Sequence, residues 1–61
     1  MADEMEALAA VLETEGSILK VLSEEGDLLT DPVALQRNRT MREQHVELFR
    51  KLNEALAKRL L

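Results

Sequence analysis

The sequence contains no cysteine, tryptophan or tyrosine, and it has one proline, two glycines and a single aromatic residue, Phe49. Without cysteine the chain cannot form disulfides. With His45 as its only histidine, it lacks the ligands of a structural zinc site. The scarcity of flat side chains removes the stacking platforms on which proteins hold single-stranded nucleic acids. Aliphatic side chains must therefore provide nearly all of the packing energy.

Long hydrophobic runs are also missing, since the apolar stretches are only a few residues long. A membrane-spanning helix needs about 20 consecutive apolar residues. The first six residues, Met-Ala-Asp-Glu-Met-Glu, are acidic and lack the basic flank and apolar stretch of a secretory signal. We therefore expect a cytoplasmic protein that does not enter a membrane.

The chain is short, with 61 residues of which 46% are hydrophobic. A domain of this size buries only about 60% of the surface that its unfolded chain exposes, so it is marginally stable alone. We expect one domain over residues 1–61. Because disulfides and zinc are excluded, association is the remaining source of stability. Two helices bury a single seam, whereas two helical hairpins close the core of a four-helix bundle.

Charge divides the chain at Pro32. Residues 1–31 carry nine carboxylates and one lysine, a net charge of −8, whereas residues 32–61 carry seven lysines and arginines and three glutamates, a net charge of +4. Each half also has apolar residues at helical spacing. The pattern predicts two amphipathic helices of opposite charge that pack on each other or on a second copy.

The first helix is predicted over residues 4–25. Asp3 and Glu6 resemble a capping box, and Gly26 is expected to end the helix in the left-handed conformation, with Leu28 packed back over the last turn. Apolar residues recur three and four positions apart and define its core face. They are Met5, Leu8, Val11, Leu12, Ile18, Leu19 and Leu22.

The second helix is predicted over residues 32–60, capped by Asp31 and opened by Pro32, which has no amide to leave unpaired. Residues 36–40 are all polar, and Thr40 with Glu43 is a second potential cap, so a break near residue 39 is an alternative. The apolar residues of this helix, which are dense after residue 45 and sparse before it, are Val33, Leu35, Met41, Val46, Leu48, Phe49, Leu52, Ala55, Leu56 and Leu60.

An antiparallel hairpin that turns near residue 28 pairs positions whose numbers sum to roughly 57, within about one helical turn. This register places Leu8 opposite Phe49, Met5 opposite Leu52 and Leu22 opposite Leu35. The predicted interface consists of Met5, Leu8, Leu12, Leu19, Leu22, Phe49, Leu52, Leu56 and Leu60. Glu15 interrupts the apolar pattern, and the neighbourhood opposite it contains Asn38, Arg42 and His45. The sequence therefore predicts a polar layer of these four residues across the core.

Such a layer has two interpretations. A carboxylate beside an imidazole in a low-dielectric setting is typical of acid–base sites, but no serine, cysteine or aspartate completes a nucleophilic arrangement. A di-iron bundle site needs a glutamate three residues before its histidine, and Arg42 occupies that position before His45. We therefore expect no enzyme activity, metal or cofactor, and interpret the layer as a device that fixes the pairing of the helices.

Two families share features with the chain. Its size and hairpin architecture are similar to those of the RNA-binding plasmid copy-number protein Rop, although no Rop motif is matched. Residues 21–25, Val-Leu-Ser-Glu-Glu, with Leu35 and Arg42, resemble flagellar secretion chaperones of the FlgN type over about half of the chain. The first resemblance implies RNA binding by the basic helix, and the second implies an export substrate on the apolar end of that helix.

Protein–protein interaction remains the main hypothesis. The acidic helix offsets the basic one, so nucleic acid is not an expected partner, and nothing indicates a small-molecule substrate. The sequence predicts an adaptor, assembly subunit or regulator that acts through amphipathic helices. Its partner is expected to be a second copy, as a homodimer, or another helical protein.

Overall fold

The computed structural model describes residues 2–60, with side chains for residues 3–60, and these residues form two helices. Helix α1 spans Ala2–Leu28 and helix α2 spans Pro32–Leu60. The two helices pack against each other as an antiparallel hairpin about 46 Å long. The predicted all-α hairpin is confirmed. Neither helix, within residues 2–60, is both long and apolar enough to cross a membrane.

Helix α1 continues past the expected end. It begins at Ala2, so Asp3 and Glu4 lie in the first turn, where carboxylates interact favourably with the helix dipole. Gly26 does not adopt a positive φ and remains helical, and Leu28 is 83% exposed instead of packing back. The prediction that Gly26 ends the helix is therefore wrong. This glycine lies in the seam, where the missing Cβ lets the second helix approach, as described below.

The start of α2 follows its sequence signals. The amide of Ala34 donates to Asp31 Oδ2 at 2.9 Å, and the amide of Leu35 donates to the Asp31 carbonyl at 2.9 Å. Asp31 therefore caps the helix that Pro32 opens. The helix is continuous through residue 39, so the alternative break is absent. Lys58 and Arg59 lie in its last turn, where cations interact favourably with the dipole.

The seam between the helices has a heptad spacing. Its members are partly or fully buried and alternate three and four residues apart. In α1 they are Met5, Leu8, Leu12, Glu15, Leu19, Leu22 and Gly26, and in α2 they are Leu35, Asn38, Arg42, His45, Phe49, Leu52 and Leu56. Among the described residues, Leu22 is the only buried hydrophobic side chain, at 8% exposure. The hairpin alone therefore has a very small apolar core.

The register of the pairing differs from the predicted one by about one helical turn. The pairs Glu15 with His45 and Leu22 with Asn38 are joined by hydrogen bonds, and the residue numbers of each pair sum to 60. The Leu22 carbonyl is thus joined to Asn38, one helical turn beyond Leu35, the residue predicted to lie opposite Leu22. An added Cβ on Gly16 would lie 3.7 Å from Phe49, which places the ring of Phe49 beside Gly16. The cause is the turn, which is centred on residue 30 because α1 extends to Leu28.

Candidate functional site

Glu15 and His45 form the central polar contact of the seam. Their side chains meet across the two helices, with 2.6 Å between Glu15 Oε2 and His45 Nδ1. Glu15 is 8% exposed, whereas the imidazole remains partly exposed. With a neutral imidazole the contact is a hydrogen bond in which Nδ1–H donates to the carboxylate, and with a protonated imidazole it is an ion pair. Water therefore reaches the histidine side of the pair more easily than the carboxylate side.

Among the described residues, no hydroxyl group is hydrogen-bonded to Glu15 or His45. The two hydroxyl residues that flank Glu15 in the sequence are Thr14 and Ser17, and their oxygens donate to the carbonyls of Ala10 and Glu13 within α1. A nucleophilic mechanism requires a hydroxyl or thiol hydrogen-bonded to the histidine. Thr14 and Ser17 therefore do not supply a nucleophile that is hydrogen-bonded to His45.

Asn38 forms a second polar cluster nearer the turn. It is 4% exposed, and its Nδ2 group donates to the Leu22 carbonyl at 2.9 Å and to Glu25 Oε1 at 3.2 Å. Both partners are acceptors, which fixes the orientation of the amide. Asn38 therefore ties the start of α2 to the last turns of α1.

Gly26 provides the space for this cluster. A Cβ added at Gly26 would lie 2.8 Å from Asn38 Oδ1 and 3.8 Å from Arg42 Cζ. Both Asn38 Oδ1 and Arg42 Nε are buried without a hydrogen-bond partner among the described residues. The guanidinium of Arg42 thus points toward the turn and Gly26. The four residues of the predicted single layer are separated into two clusters, one with Glu15 and His45 and the other with Asn38 and Arg42.

Two different surfaces flank the seam. A groove of about 520 Å³ on one side is lined by several charged residues together with Val46, which is 54% exposed. We call this side the charged face. The lining residues of its groove are Leu19, Ser23, Arg39, Arg42, Glu43, Val46 and Glu47.

The opposite side of the seam is apolar, and we call it the apolar face. It consists of Val11 and Ile18 from α1 with Met41 and Leu48 from α2. In each helix the two residues are seven positions apart, so they share one side of that helix. Val11, Met41 and Leu48 are exposed in the hairpin, with Met41 at 48%. An apolar surface drawn from both helices therefore faces solvent.

The residues of the apolar face are recognisable as apolar in the sequence, but only the pairing of the helices shows that they lie outside the seam. The helical spacing predicts Val11 and Ile18 on the core face of the first helix, and Met41 and Leu48 are among the apolar residues of the second. The predicted interface residues are partly or fully buried in the hairpin, with one exception. Leu60 is exposed. One sequence signal separates the seam from the apolar face: the seam residues alternate three and four positions apart. Glu15 and Asn38 fit this spacing although they are polar.

Exposed ion pairs complete the electrostatics of the hairpin. Arg59 contacts Glu4 across the open end, and Arg50 bridges Glu47 and Glu54 within α2. The hydrogen bond from Arg50 holds the pKa of Glu47 below its ordinary value, and the same hydrogen bond raises the pKa of Arg50. The stability that the lowered pKa of Glu47 contributes is present at neutral pH and is lost as the pH falls through that pKa. These pairs are solvated and add little stability.

No metal-binding chemistry is assembled in the described part of the chain. Among residues 3–60, no three histidine, aspartate or glutamate side chains come together as a group that could hold a metal ion. Comparisons with protein families, with curated proteins and with solved structures gave no match to the chain.

The glycines offer a first test of the seam, because both are helical and only one is crowded. Gly16→Ala should stabilise the fold by about 0.5 to 1 kcal/mol, since alanine favours the helix and the new Cβ makes an ordinary contact with Phe49. Gly26→Ala should instead destabilise it by about 1 kcal/mol, because the new Cβ displaces Asn38 from the Leu22 carbonyl. Urea unfolding measures both. Equal stabilisation by the two variants would contradict the position of Asn38. In an Asn38→Ala background, Gly26→Ala should stabilise the fold as Gly16→Ala does, because the crowding amide is gone.

The contact between Glu15 and His45 offers a second test, in which the two single variants differ. His45→Leu should destabilise the chain by about 1 to 3 kcal/mol, because it leaves a buried carboxylate without its partner. Glu15→Leu should stabilise it by about 1 to 3 kcal/mol, since it removes that carboxylate and leaves an imidazole that water can reach.

The stability gained by Glu15→Leu should reduce specificity. Without the polar contact, slipped pairings become more competitive, so amide spectra of the variant should broaden. Chemical unfolding and two-dimensional amide NMR measure the two effects. A marked loss of stability in Glu15→Leu would show that the carboxylate is an obligatory partner of a buried cation, and unchanged stability would place it in solvent.

Proposed function

We propose that this chain is a non-enzymatic cytoplasmic interaction module, an adaptor, assembly subunit or regulator that binds through its amphipathic helices. Its first partner is a second copy of itself, with which it forms a four-helix bundle. A different helical protein that docks in the same way is the alternative partner. The observation that carries the proposal is the combination of a nearly absent apolar core and an exposed apolar face.

Burial supports this proposal. Only Leu22 is buried among the hydrophobic side chains of the described residues, and the leucines around it in the seam are partly exposed. Each square ångström of apolar surface removed from water contributes about 25 cal/mol, so covering the partly exposed side chains adds stability that the isolated hairpin lacks. Val11, Met41 and Leu48 extend the uncovered apolar surface beyond the seam. A partner that covers this surface stabilises the fold and is bound by it.

The observed contacts give catalysis little support. Glu15 and His45 satisfy each other, and the hydroxyls of Thr14 and Ser17 bond to backbone carbonyls. Asn38 uses both of its amide donors to join the helices. Glu15, His45 and the amide donors of Asn38 thus have structural partners in the hairpin, whereas Asn38 Oδ1 and Arg42 Nε have none among the described residues.

The test of the proposal is the molecular mass in solution. Multi-angle light scattering at micromolar concentration should give at least twice the chain mass of 6.9 kDa. The helical signal in circular dichroism should melt at a temperature that rises with protein concentration, because association and folding are linked. A monomer that is stably folded at low micromolar concentration would exclude self-association.

RNA binding by α2 is the second candidate function, and it has weaker support. Arg50 is neutralised by Glu47 and Glu54, and Arg59 is neutralised by Glu4. The secretion-chaperone hypothesis has weaker support for a different reason, since Phe49, Leu52 and Leu56 pack in the seam and present only part of their surface to an export substrate.

We predict no binding to structured RNA at about 10 μM protein and about 50 mM salt, where counterion release favours any phosphate-binding protein. A gel-shift or fluorescence anisotropy titration with an RNA stem–loop measures this. A complex that weakens steeply with added salt and is lost in the Arg39→Ala, Arg50→Ala double variant would favour RNA binding over the interaction proposal.

A further inference from the structure

We infer that two copies of the hairpin associate through their apolar faces with both turns at the same end of the bundle, so that α1 of each copy packs on α2 of the other. This inference rests on the proposed homodimer and adds the surface, the orientation and the neighbours of each helix. It follows from three features of the hairpin: the level at which its apolar residues lie, the separation of charge between its helices, and the small number of ion pairs that join them.

The apolar face forms two layers. Hydrogen bonds between the helices join pairs whose residue numbers sum to 60 or 63. Val11 with Leu48 and Ile18 with Met41 each sum to 59, so the members of each pair lie within about one helical turn of the same level. Each layer therefore presents one residue from each helix to a second hairpin. When a second copy is placed face to face with its turn at the same end, these layers coincide, and each becomes a set of four aliphatic side chains. This arrangement gives the interdigitated core of a four-helix bundle.

The charge of the helices selects the orientation. Helix α1 carries eight carboxylates and one lysine, a net charge of −7, and α2 carries seven cations and three carboxylates, a net charge of +4. A two-fold axis perpendicular to the helices places α1 on the partner's α1 and the turns at opposite ends. A two-fold axis parallel to the helices places α1 on the partner's α2 and the turns together. The second arrangement surrounds every helix with neighbours of opposite charge, whereas the first brings two acidic helices together.

The hairpin leaves this attraction largely unused. Among the described residues, only two ion pairs join α1 to α2, Glu4 with Arg59 and Glu15 with His45. The other α1 carboxylates make no ion pair within residues 3–60, and neither do Arg37, Lys51 and Lys58 of α2. These three cations border the apolar face, because Arg37 lines a groove with Met41, and Lys51 and Lys58 lie 14 and 21 positions after Arg37 on the same side of the helix. They are placed to meet the partner's acidic helix.

The charged face is a poorer site for the second copy. Its groove brings together Arg39, Arg42, Glu43 and Glu47, which an apolar partner surface would desolvate. The two layers of the apolar face contain no charged residue, and the charged residues of the groove beside Met41, which are Glu25, Asp31 and Arg37, lie at the turn end of that face. Val46 on the charged face and Met41 on the apolar face have similar exposures, 54% and 48%, and both lie in α2. These two residues therefore form a matched pair for a test of which side is covered.

The first experiment compares charge substitutions on the two faces. Met41→Glu and Leu48→Glu should raise the dissociation constant of the dimer at least about tenfold in sedimentation equilibrium, since each places carboxylates in a buried layer. Val46→Glu, the control, should leave the constant unchanged. Circular dichroism at high concentration checks that each variant is helical. Loss of the dimer in Val46→Glu with retention in Met41→Glu and Leu48→Glu would overturn the assignment of the face.

The second experiment measures orientation on the unaltered faces, so it does not depend on a destabilising change. The chain has no native cysteine, so a single spin label can be attached to Thr30→Cys in the exposed turn. Pulsed electron paramagnetic resonance should then give a distance of roughly 15 to 25 Å, because the two turns are separated only by the spacing of neighbouring helices and the label arms. A distance near the 46 Å length of the hairpin would show turns at opposite ends.

A mixed sample is the positive control for that opposite arrangement. Chains labelled at Thr30→Cys and chains labelled at Ala57→Cys, near the open end, should give no short distance between unlike labels if the turns lie together. Light scattering on the same samples separates two failures. A dimer with a long Thr30 distance overturns this inference and leaves the proposed self-association intact. A monomer overturns both.

Discussion

A hairpin of two helices has one seam, and in this chain the most buried side chains of that seam are mainly polar. Asn38 and Glu15 are as buried as Leu22, the only hydrophobic side chain that is buried among the described residues. Buried polar groups contribute little net stability but are costly when they lose their partners. The contacts of Glu15 with His45 and of Asn38 with the Leu22 carbonyl therefore fix the register more than they stabilise the fold.

The polar contacts therefore fix which residues of the two helices pair, and the apolar contacts provide the stability. A slip of the helices by one turn would separate Asn38 from the Leu22 carbonyl and would remove it from the space above Gly26. It would also leave the Glu15 carboxylate without the imidazole. The hairpin thus has a well-defined pairing and a small apolar core. Additional stability has to come from surface that the hairpin leaves uncovered.

The two sides of the seam differ in how they can provide that surface. The charged face presents Arg39, Glu43 and Glu47 beside its groove, whereas the apolar face presents aliphatic side chains from both helices. The opposite net charges of α1 and α2 give the hairpin an electrostatic polarity across its width. A second copy related by a two-fold axis along the helices matches the first in both respects. Its apolar layers lie at the same levels, and its acidic α1 faces the basic α2 of the first copy.

Much of the fold is predictable from the sequence because its signals are local. The helical spacing of the apolar residues predicts both helices, and Asp31 with Pro32 predicts the start of α2, since capping depends only on neighbouring backbone amides. The proximity of Glu15 and His45 was also expected, although the predicted register was shifted. That pair tolerates the shift because long side chains reach across about one turn.

Only the tertiary structure decided the function of Gly26 and the separation of the polar residues into two clusters. A helical glycine and a glycine that ends a helix have the same local sequence, and the difference here is the approach of Asn38 from the other helix. The extension of α1 to Leu28 moved the centre of the turn, and the new register separated Asn38 and Arg42 from Glu15. The sequence by itself determined which residues are apolar and helical. The pairing of the helices determined which of them enter the seam and which remain on an exposed face, because burial depends on the distance between helices and not on spacing within one.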